Sequence, residues 1–176
     1  MLFALSFLPM FGIGGLTGLP LGLATADIHL HDTYYVIGHF HYVVAPGTIF
    51  AIFAGIYFWF PKISGKTMNE TLGKLHFWGS LVCMNGIFMP MFLQGLTGLS
   101  RRMANGGYDY AHAKDVLYLN EIMSISAFAL FAFQLLFIFN FFWTLFRKRY
   151  ETETDTNPWQ STTIDWTDTT SPPLGH

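Results

Sequence analysis

Charged residues are scarce in this sequence, and they are distributed unevenly. Lys, Arg, Asp and Glu make up 11% of the 176 residues, whereas hydrophobic residues make up 52% and aromatic residues 18%. An ordinary soluble domain carries about twice that share of charge, so the composition excludes one. Four stretches have no charged residue, and each exceeds the roughly 20 residues that cross a bilayer. These stretches are residues 1–26, 33–61, 75–100 and 122–146.

The uncharged stretches predict an all-α fold, a transmembrane helix bundle with four spans. The predicted membrane domain covers residues 1–146, and residues 147–176 form a polar tail. Within that domain the spans are expected at about 2–26, 33–60, 75–99 and 122–146.

The sequence also has a single cysteine and a small net charge. Cys83 is the single cysteine and lies in the third uncharged stretch, which excludes an internal disulfide and a cysteine-rich metal site. The formal net charge is only −2, so nothing in the sequence predicts binding to nucleic acid.

Two histidines stand inside the second uncharged stretch, where ionisable groups are costly and mark function. His39 and His41 belong to the segment HDTYYVIGHFHYVV, which begins at His31. At 100° per residue, one helix places the two imidazoles about 200° apart, on nearly opposite faces. Two histidines that chelate one ion on a helix are expected four residues apart, so this spacing argues against a shared metal.

Three interpretations of this histidine pair remain open on the residues alone. The two imidazoles could each bind the iron of a separate haem beside the helix. They could instead be hydrogen-bonded structural histidines of a transporter or structural membrane protein. A proton relay through His39 and His41 is the third possibility.

The segment HDTYYVIGHFHYVV closely resembles the signature of the haem–copper terminal oxidases, in the branch of cytochrome c oxidase subunit I. The resemblance runs from Met1 into the tail, and it implies that the four spans correspond to the last four helices of a twelve-helix subunit. It also implies that His39 binds the iron of the oxygen-reactive high-spin haem and that His41 binds the low-spin haem.

The same resemblance assigns roles to charged residues outside the spans. His31 and Asp32 match the family's magnesium site, and Asp27 matches a residue near the haem propionates. The adjacent pair Arg101 and Arg102 would by itself be read as a membrane-interface anchor. In the family this pair meets the propionates, to which the guanidinium fork is well suited.

The resemblance implies an enzyme that reduces dioxygen to water, coupled to proton pumping. Its cofactors would be two haems, expected to be a-type, a copper whose ligands lie on the upstream part of subunit I, and magnesium. Its partners would be that upstream part, oxidase subunits II and III, cytochrome c and the lipid bilayer, so the chain is not expected to act alone. A portion of a quinol oxidase and an inactive fragment remain alternatives, although Tyr42 stands where quinol oxidases have asparagine.

Basic residues predict which ends of the spans face the cytoplasm. Six lie in the loop 61–74 and at the start of the tail, against three in the loop after the third span. The tail is therefore expected on the cytoplasmic side, without order of its own and resting on other subunits. Its pattern, beginning at Asn157-Pro158-Trp159, resembles bacterial tails and favours the bacterial inner membrane over the mitochondrial one.

Three smaller features complete the predictions. Pro61 is expected to end the second span. His76, beside Lys74, is expected at the membrane interface. The pentapeptide GLTGL occurs at 15–19 and again at 95–99, where it could serve close helix packing or the approach of a large planar cofactor.

Overall fold

A computed structural model describes residues 1–147 and 157–167. The α-helices are α1 (Leu2–Gly22), α2 (Ala24–Leu30), α3 (Tyr34–Val44), α4 (Phe50–Ser64), α5 (Glu70–Leu96), α6 (Tyr118–Phe146) and α7 (Ile164–Thr167). A π-helical turn, Ala45–Ile49, joins α3 to α4, and a 3-10 helix, Ala111–Val116, precedes α6. Within these described ranges the chain forms no β-strand beyond one isolated bridge between Thr33 and Ser100.

Four of these segments are long and apolar enough to cross a membrane: Leu2–Gly22, Tyr34–Ser64, Glu70–Leu96 and Tyr118–Phe146. The predicted all-α helix bundle with four spans is therefore confirmed. The ends of the segments differ from the predicted ones by up to five residues, because local capping groups set them. Asn69, for example, starts α5 early by accepting the N–H of Leu72 through its side chain at 3.0 Å.

The second span does not end at Pro61, contrary to the prediction. Helix α4 continues to Ser64 and stops at Gly65, whose φ of 70° is left-handed. The Gly65 N–H donates to the Pro61 carbonyl at 2.7 Å. Proline in a final turn removes only one backbone donor, so the helix tolerates it there, whereas the left-handed glycine does terminate the helix.

Pro46 widens the middle of the second span. It lies in the π-helical turn Ala45–Ile49, directly after the histidine-bearing helix α3. Proline has no N–H for the regular ladder, and wide turns inside helices relieve such a defect. The second span is thus not one regular helix, but both His39 and His41 lie within the regular part.

Helix α3 packs between α1 and α5, and α5 also packs against α6. The α3–α5 contact is very close at Gly95, where an added Cβ would stand 2.1 Å from the backbone nitrogen of Tyr35. Aromatic side chains fill the interior of the bundle along its length. The buried ones include Phe3, Tyr35, Tyr42, Phe50, Phe77, Phe88 and Phe92.

His76 is fully buried inside the bundle, so it is not the exposed interfacial side chain that was predicted beside Lys74. Its Nδ1 is 3.2 Å from the Tyr57 hydroxyl, and its Nε2 is 3.2 Å from the side-chain oxygen of Gln134. Since α5 starts at Glu70, His76 lies nearly two turns inside the helix, about 9 Å from its beginning.

The loop between α4 and α5 binds the end of α6. Lys66 is only 9% exposed, and its ammonium group donates to the carbonyls of Leu145, at 2.7 Å, and Arg147. Asn140 of α6 bonds both backbone groups of Asn69, accepting the N–H and donating to the carbonyl at 3.0 Å each. This end of the bundle also carries the start of the tail.

Residues 157–167 of the tail fold back onto α4, so the expectation that they lack order of their own is wrong. Trp166 is 2% exposed and packs edge-on against Phe58 with ring centres 5.4 Å apart. The indole N–H of Trp159 donates to the Phe58 carbonyl at 2.9 Å. The tail is polar by composition, but its tryptophans supply apolar area. The remaining tail positions, 148–156 and 168–176, lie outside the described residues.

Candidate functional site

The histidine helix α3 begins at a tightly bonded entrance. The Thr33 hydroxyl accepts the N–H of Tyr35 at 3.2 Å and donates to the Leu30 carbonyl at 2.7 Å. The Tyr34 N–H in turn donates to the Leu99 carbonyl at 3.0 Å, which ties the start of α3 to the segment after α5. These bonds fix where α3 begins and therefore where its two histidines stand.

His39 lies against α1. Its Nδ1 is 2.8 Å from the Gly14 carbonyl and 3.3 Å from the Thr17 hydroxyl. Because a carbonyl can only accept, the proton is assigned to Nδ1, and Nε2 keeps its lone pair. No described residue forms a hydrogen bond to Nε2. An imidazole held through Nδ1 with a bare Nε2 is the arrangement of a metal-binding histidine with its supporting partner.

His41 lies on the side of α5. Its Nδ1 is 2.8 Å from the Ile37 carbonyl, one turn earlier in α3, so the same argument leaves Nε2 with a lone pair. Its ring stacks on Phe88 of α5, with centres 4.6 Å apart and planes 16° apart. Phe40, which is 40% exposed, stacks beside it at 4.3 Å.

The two imidazoles therefore face different neighbouring helices, as the spacing predicts. Both are partly buried, and among residues 1–147 and 157–167 neither Nε2 has a hydrogen-bond partner, so each could bind a haem iron. No group of three or more His, Cys, Asp or Glu side chains that could hold a metal occurs among the described residues. The donor set thus fits two separate haem irons, each taking one ligand from this chain.

A charged cluster lies at the entrance of α3. His31 is 3.7 Å from an Asp27 carboxylate oxygen and 3.5 Å from an Asp32 oxygen. Arg101 donates to Asp32 through Nε at 2.8 Å and also through a terminal nitrogen. The Arg101 hydrogen bonds hold the pKa of Asp32 below its ordinary value of 3.8. The structure thus brings together four of the residues that the sequence singled out.

The cluster fits a magnesium site only in part. Asp32 has a left-handed φ of 57°, which asparagine and aspartate tolerate better than most residues. Its Oδ1 is already bonded to Arg101, so one carboxylate oxygen of Asp32 and the His31 imidazole remain for a metal that prefers six oxygen ligands. Arg102 also has a left-handed φ, 63°, and is exposed. Ligands from outside this chain would be needed to complete such a site.

A model of the family described as "Cytochrome C and Quinol oxidase polypeptide I" matches residues 1–129. The chain belongs to this family. The resemblance to the haem–copper oxidases is thereby confirmed, and the histidine helix lies wholly within the matched range.

Relatives in this family are named cytochrome c oxidase subunit 1. That of Synechocystis sp. is 46% identical over 174 residues, which cover 99% of this chain and 30% of the relative. That of Thermostichus vulcanus is 45% identical over 175 residues, with the same coverage. The alternative cytochrome c oxidase subunit 1 of Bradyrhizobium diazoefficiens is 39% identical, covering 100% of this chain and 29% of the relative. The chain therefore spans about 30% of the length of these subunits.

Residues that support His39 were missed by the sequence reasoning. The Gly14 carbonyl and the Thr17 hydroxyl contact its Nδ1, and Gly18 lies against its ring. The repeated GLTGL pentapeptide was a signal, because its first copy contains Thr17 and Gly18. The second copy has a different role, since Gly95 within it packs against the backbone of α3.

Proposed function

We propose that this chain is the C-terminal part of subunit I of a proton-pumping cytochrome c oxidase. In this proposal His39 supplies the axial ligand of the high-spin haem and His41 that of the low-spin haem. The bound haems and copper supply electron transfer and the reduction of dioxygen to water. Family membership supports the class of protein. The resemblance of the α3 segment to the family signature supports the roles of the two histidines, and the hydrogen bonds of their rings support metal binding.

One observation carries the assignment of the two histidines. Each Nδ1 is tied to a backbone carbonyl at 2.8 Å, so each Nε2 is left as an acceptor, and the two rings lie against different helices. A buried structural histidine would be expected to use both ring nitrogens, as His76 does with Tyr57 and Gln134. A proton relay would need a polar neighbour at Nε2 of either residue.

The charged entrance of α3 is proposed to serve the haem propionates and a divalent cation. Arg101 has five donors, so it can hold Asp32 and still offer donors to a propionate. Arg102 is exposed at the same place and would act likewise, with Asp27 nearby. His31 and Asp32 would contribute to magnesium binding together with ligands from another chain.

The chain would work only within an assembly. Each haem takes one ligand from it, so the copper ligands and the second ligand of the low-spin haem must come from the upstream part of subunit I. We further propose oxidase subunits II and III as partners and a bacterial inner membrane as the location. The organisms of the relatives support a bacterial origin.

Cytochrome c is the proposed electron donor, and the names of the relatives support it. Tyr42, which stands where quinol oxidases have asparagine, also favours this choice, but it is fully buried and does not contact a donor. Its hydroxyl donates to the Asn85 side chain at 2.7 Å inside the α3–α5 contact. The residue type at this position thus reflects packing between two helices, not contact with a donor.

The test is to replace His39 and His41 separately by alanine in the assembled oxidase and to measure its two haem spectra. His39→Ala is expected to remove the high-spin haem and keep the low-spin haem, and His41→Ala is expected to do the reverse. His112→Ala is the matched control, because His112 lies exposed in the 3-10 helix before α6, and it should keep both haems.

Two results would contradict the proposal. Loss of the same single metal in both variants would indicate a shared site. Retention of both haems in both variants, at the level of the His112→Ala control, would leave the histidines with a structural role only.

A further inference from the structure

We propose that Gly18 is a positioning residue for His39, because the lack of a side chain at Gly18 sets the plane in which the imidazole stands. The inference rests on the proposed role of His39 as an iron ligand. It adds to Gly14 and Thr17 a third residue of α1 that fixes the ligand ring from outside its own helix.

The contact between Gly18 and the His39 ring leaves no room for even a methyl group. A Cβ added at Gly18 would stand 2.7 Å from Cε1 of His39, 3.4 Å from Nε2 and 3.5 Å from Nδ1. Contacts shorter than 3.0 Å are essentially absent for real Cβ atoms, so the ring could not keep its position.

The atom that would be displaced matters for the chemistry. Cε1 is bonded to both ring nitrogens, so a push on Cε1 moves Nδ1 relative to the Gly14 carbonyl and changes the direction of Nε2 at once. The 2.8 Å bond to Gly14 resists the rotation, because Nδ1–H would lose its acceptor. A side chain at Gly18 would therefore misdirect the nitrogen that is proposed to bind iron.

Moving α1 away from α3 would not relieve the contact cheaply. One turn earlier, a Cβ at Gly14 would lie 2.8 Å from a Val43 side-chain carbon and 2.9 Å from the Val43 backbone nitrogen. The two helices are thus already packed backbone to backbone beside His39. The ring is the movable part, and it is expected to yield.

The glycines of α1 are not equivalent in this respect. At Gly12, Gly15 and Gly22 an added Cβ would meet no atom of the described residues within 4 Å. Small residues that serve only helix packing in a membrane would affect stability when replaced and would leave iron ligation unchanged. Gly15 therefore provides a matched control, three residues from Gly18 in the same helix.

The experiment compares Gly18→Ala with Gly15→Ala in the assembled oxidase. The readouts are the ratio of high-spin to low-spin haem and the iron–imidazole stretching vibration in resonance Raman spectra. Gly18→Ala is expected to shift that vibration and to weaken binding of the high-spin haem by about 10- to 100-fold, the range for loss of outer support to a metal-bound histidine. Gly15→Ala is expected to match the wild type, and the haem on His41 should be unchanged in both.

An unchanged vibration and a full complement of high-spin haem in Gly18→Ala would overturn the inference. The His39→Ala variant separates this failure from failure of the proposed function. If His39→Ala loses the high-spin haem while Gly18→Ala behaves as wild type, only the role of Gly18 is wrong. If His39→Ala keeps both haems, the ligand assignment itself is wrong.

A second measurement applies where Gly18→Ala does not assemble. Nitrogen NMR of the full 176-residue chain with isotope-labelled histidine reports which ring nitrogen carries the proton. The His39 signal is identified by its loss in His39→Gln. We expect Gly18→Ala to alter the Nδ1-protonated pattern of His39 and Gly15→Ala to preserve it, and an unaltered pattern in Gly18→Ala overturns the inference.

Discussion

Replacing Lys66 by methionine should destabilise the helix bundle far more than replacing an exposed lysine. Lys66 is 9% exposed, and its ammonium group donates to the carbonyls of Leu145 and Arg147 at the end of α6. Methionine keeps a flexible apolar stem but removes the charge, so the lost interactions are those of the ammonium group.

The expected loss of stability is estimated from the two hydrogen bonds and from the interaction of the ammonium charge with the C-terminal end of α6. Bonds that involve a charged group contribute about 1.5 to 3 kcal/mol each. A cation at a helix C-terminus adds about 0.3 to 1 kcal/mol. Water at the membrane boundary will solvate part of the freed carbonyls, so we expect Lys66→Met to lower the free energy of unfolding by about 2 to 4 kcal/mol.

The assay is unfolding of the purified chain in detergent by titration with sodium dodecyl sulfate, followed by far-ultraviolet circular dichroism. Lys74→Met is the matched control, since the interaction of Lys74 within the described part of the chain is an exposed ion pair with Glu70 at 2.9 Å. Such pairs on a helix contribute about 0.3 to 0.5 kcal/mol. Equal losses of stability in the two variants would refute the reasoning, because Lys66 would then act as an ordinary surface charge.

Two further predictions concern helix packing and pH. Gly95→Ala should lower the free energy of unfolding by about 1 to 3 kcal/mol in the same titration, because its Cβ would meet the Tyr35 backbone at 2.1 Å. Gly12→Ala, which faces open space, should show no such loss. The Asp32–Arg101 interaction depresses the pKa of Asp32, so its stabilising effect is complete above the ordinary value of 3.8 and is lost as the pH falls below it. Arg101→Gln should raise the pKa of Asp32 towards 3.8, measured by the carboxylate infrared band that Asp32→Asn removes; an unmoved band would count against the pairing.

The four spans could be predicted from the sequence because few backbone structures can satisfy their hydrogen bonds inside a bilayer. A segment without charge that is long enough to cross must form a helix, since its backbone groups have no water to bond. The ends of the helices were less predictable. They depend on single groups such as the Asn69 cap and the left-handed Gly65, which composition does not register.

The errors at His76 and in the tail have physical causes. His76 stands two residues after a lysine, which suggests an interface, but α5 begins earlier, at Glu70, and carries His76 into the bundle. The average composition of the tail is polar. That average does not indicate that a single residue, Trp166, is buried against α4. The start of α5 thus decided the position of His76, and the position of α4 decided that of Trp166.

The histidine site was predictable in its residues but not in its support. Helical geometry within α3 alone requires His39 and His41 to face apart. The Gly14 carbonyl that fixes the His39 ring lies 25 residues earlier on another helix, so only the packed structure reveals it. The roles of both histidines as haem ligands remain predictions.

The wide turn at Pro46 changes the direction in which each side chain of α4 points around the helix axis. A π-turn accommodates about one extra residue, so each side chain of α4 is rotated by roughly 100° from where an unbroken helix starting at Tyr34 would place it. Tyr57 reaches His76 on α5 in this rotated register. Deletion of Pro46 would allow a regular helix while leaving the histidines in place and the aromatic face of α4 aligned with α5.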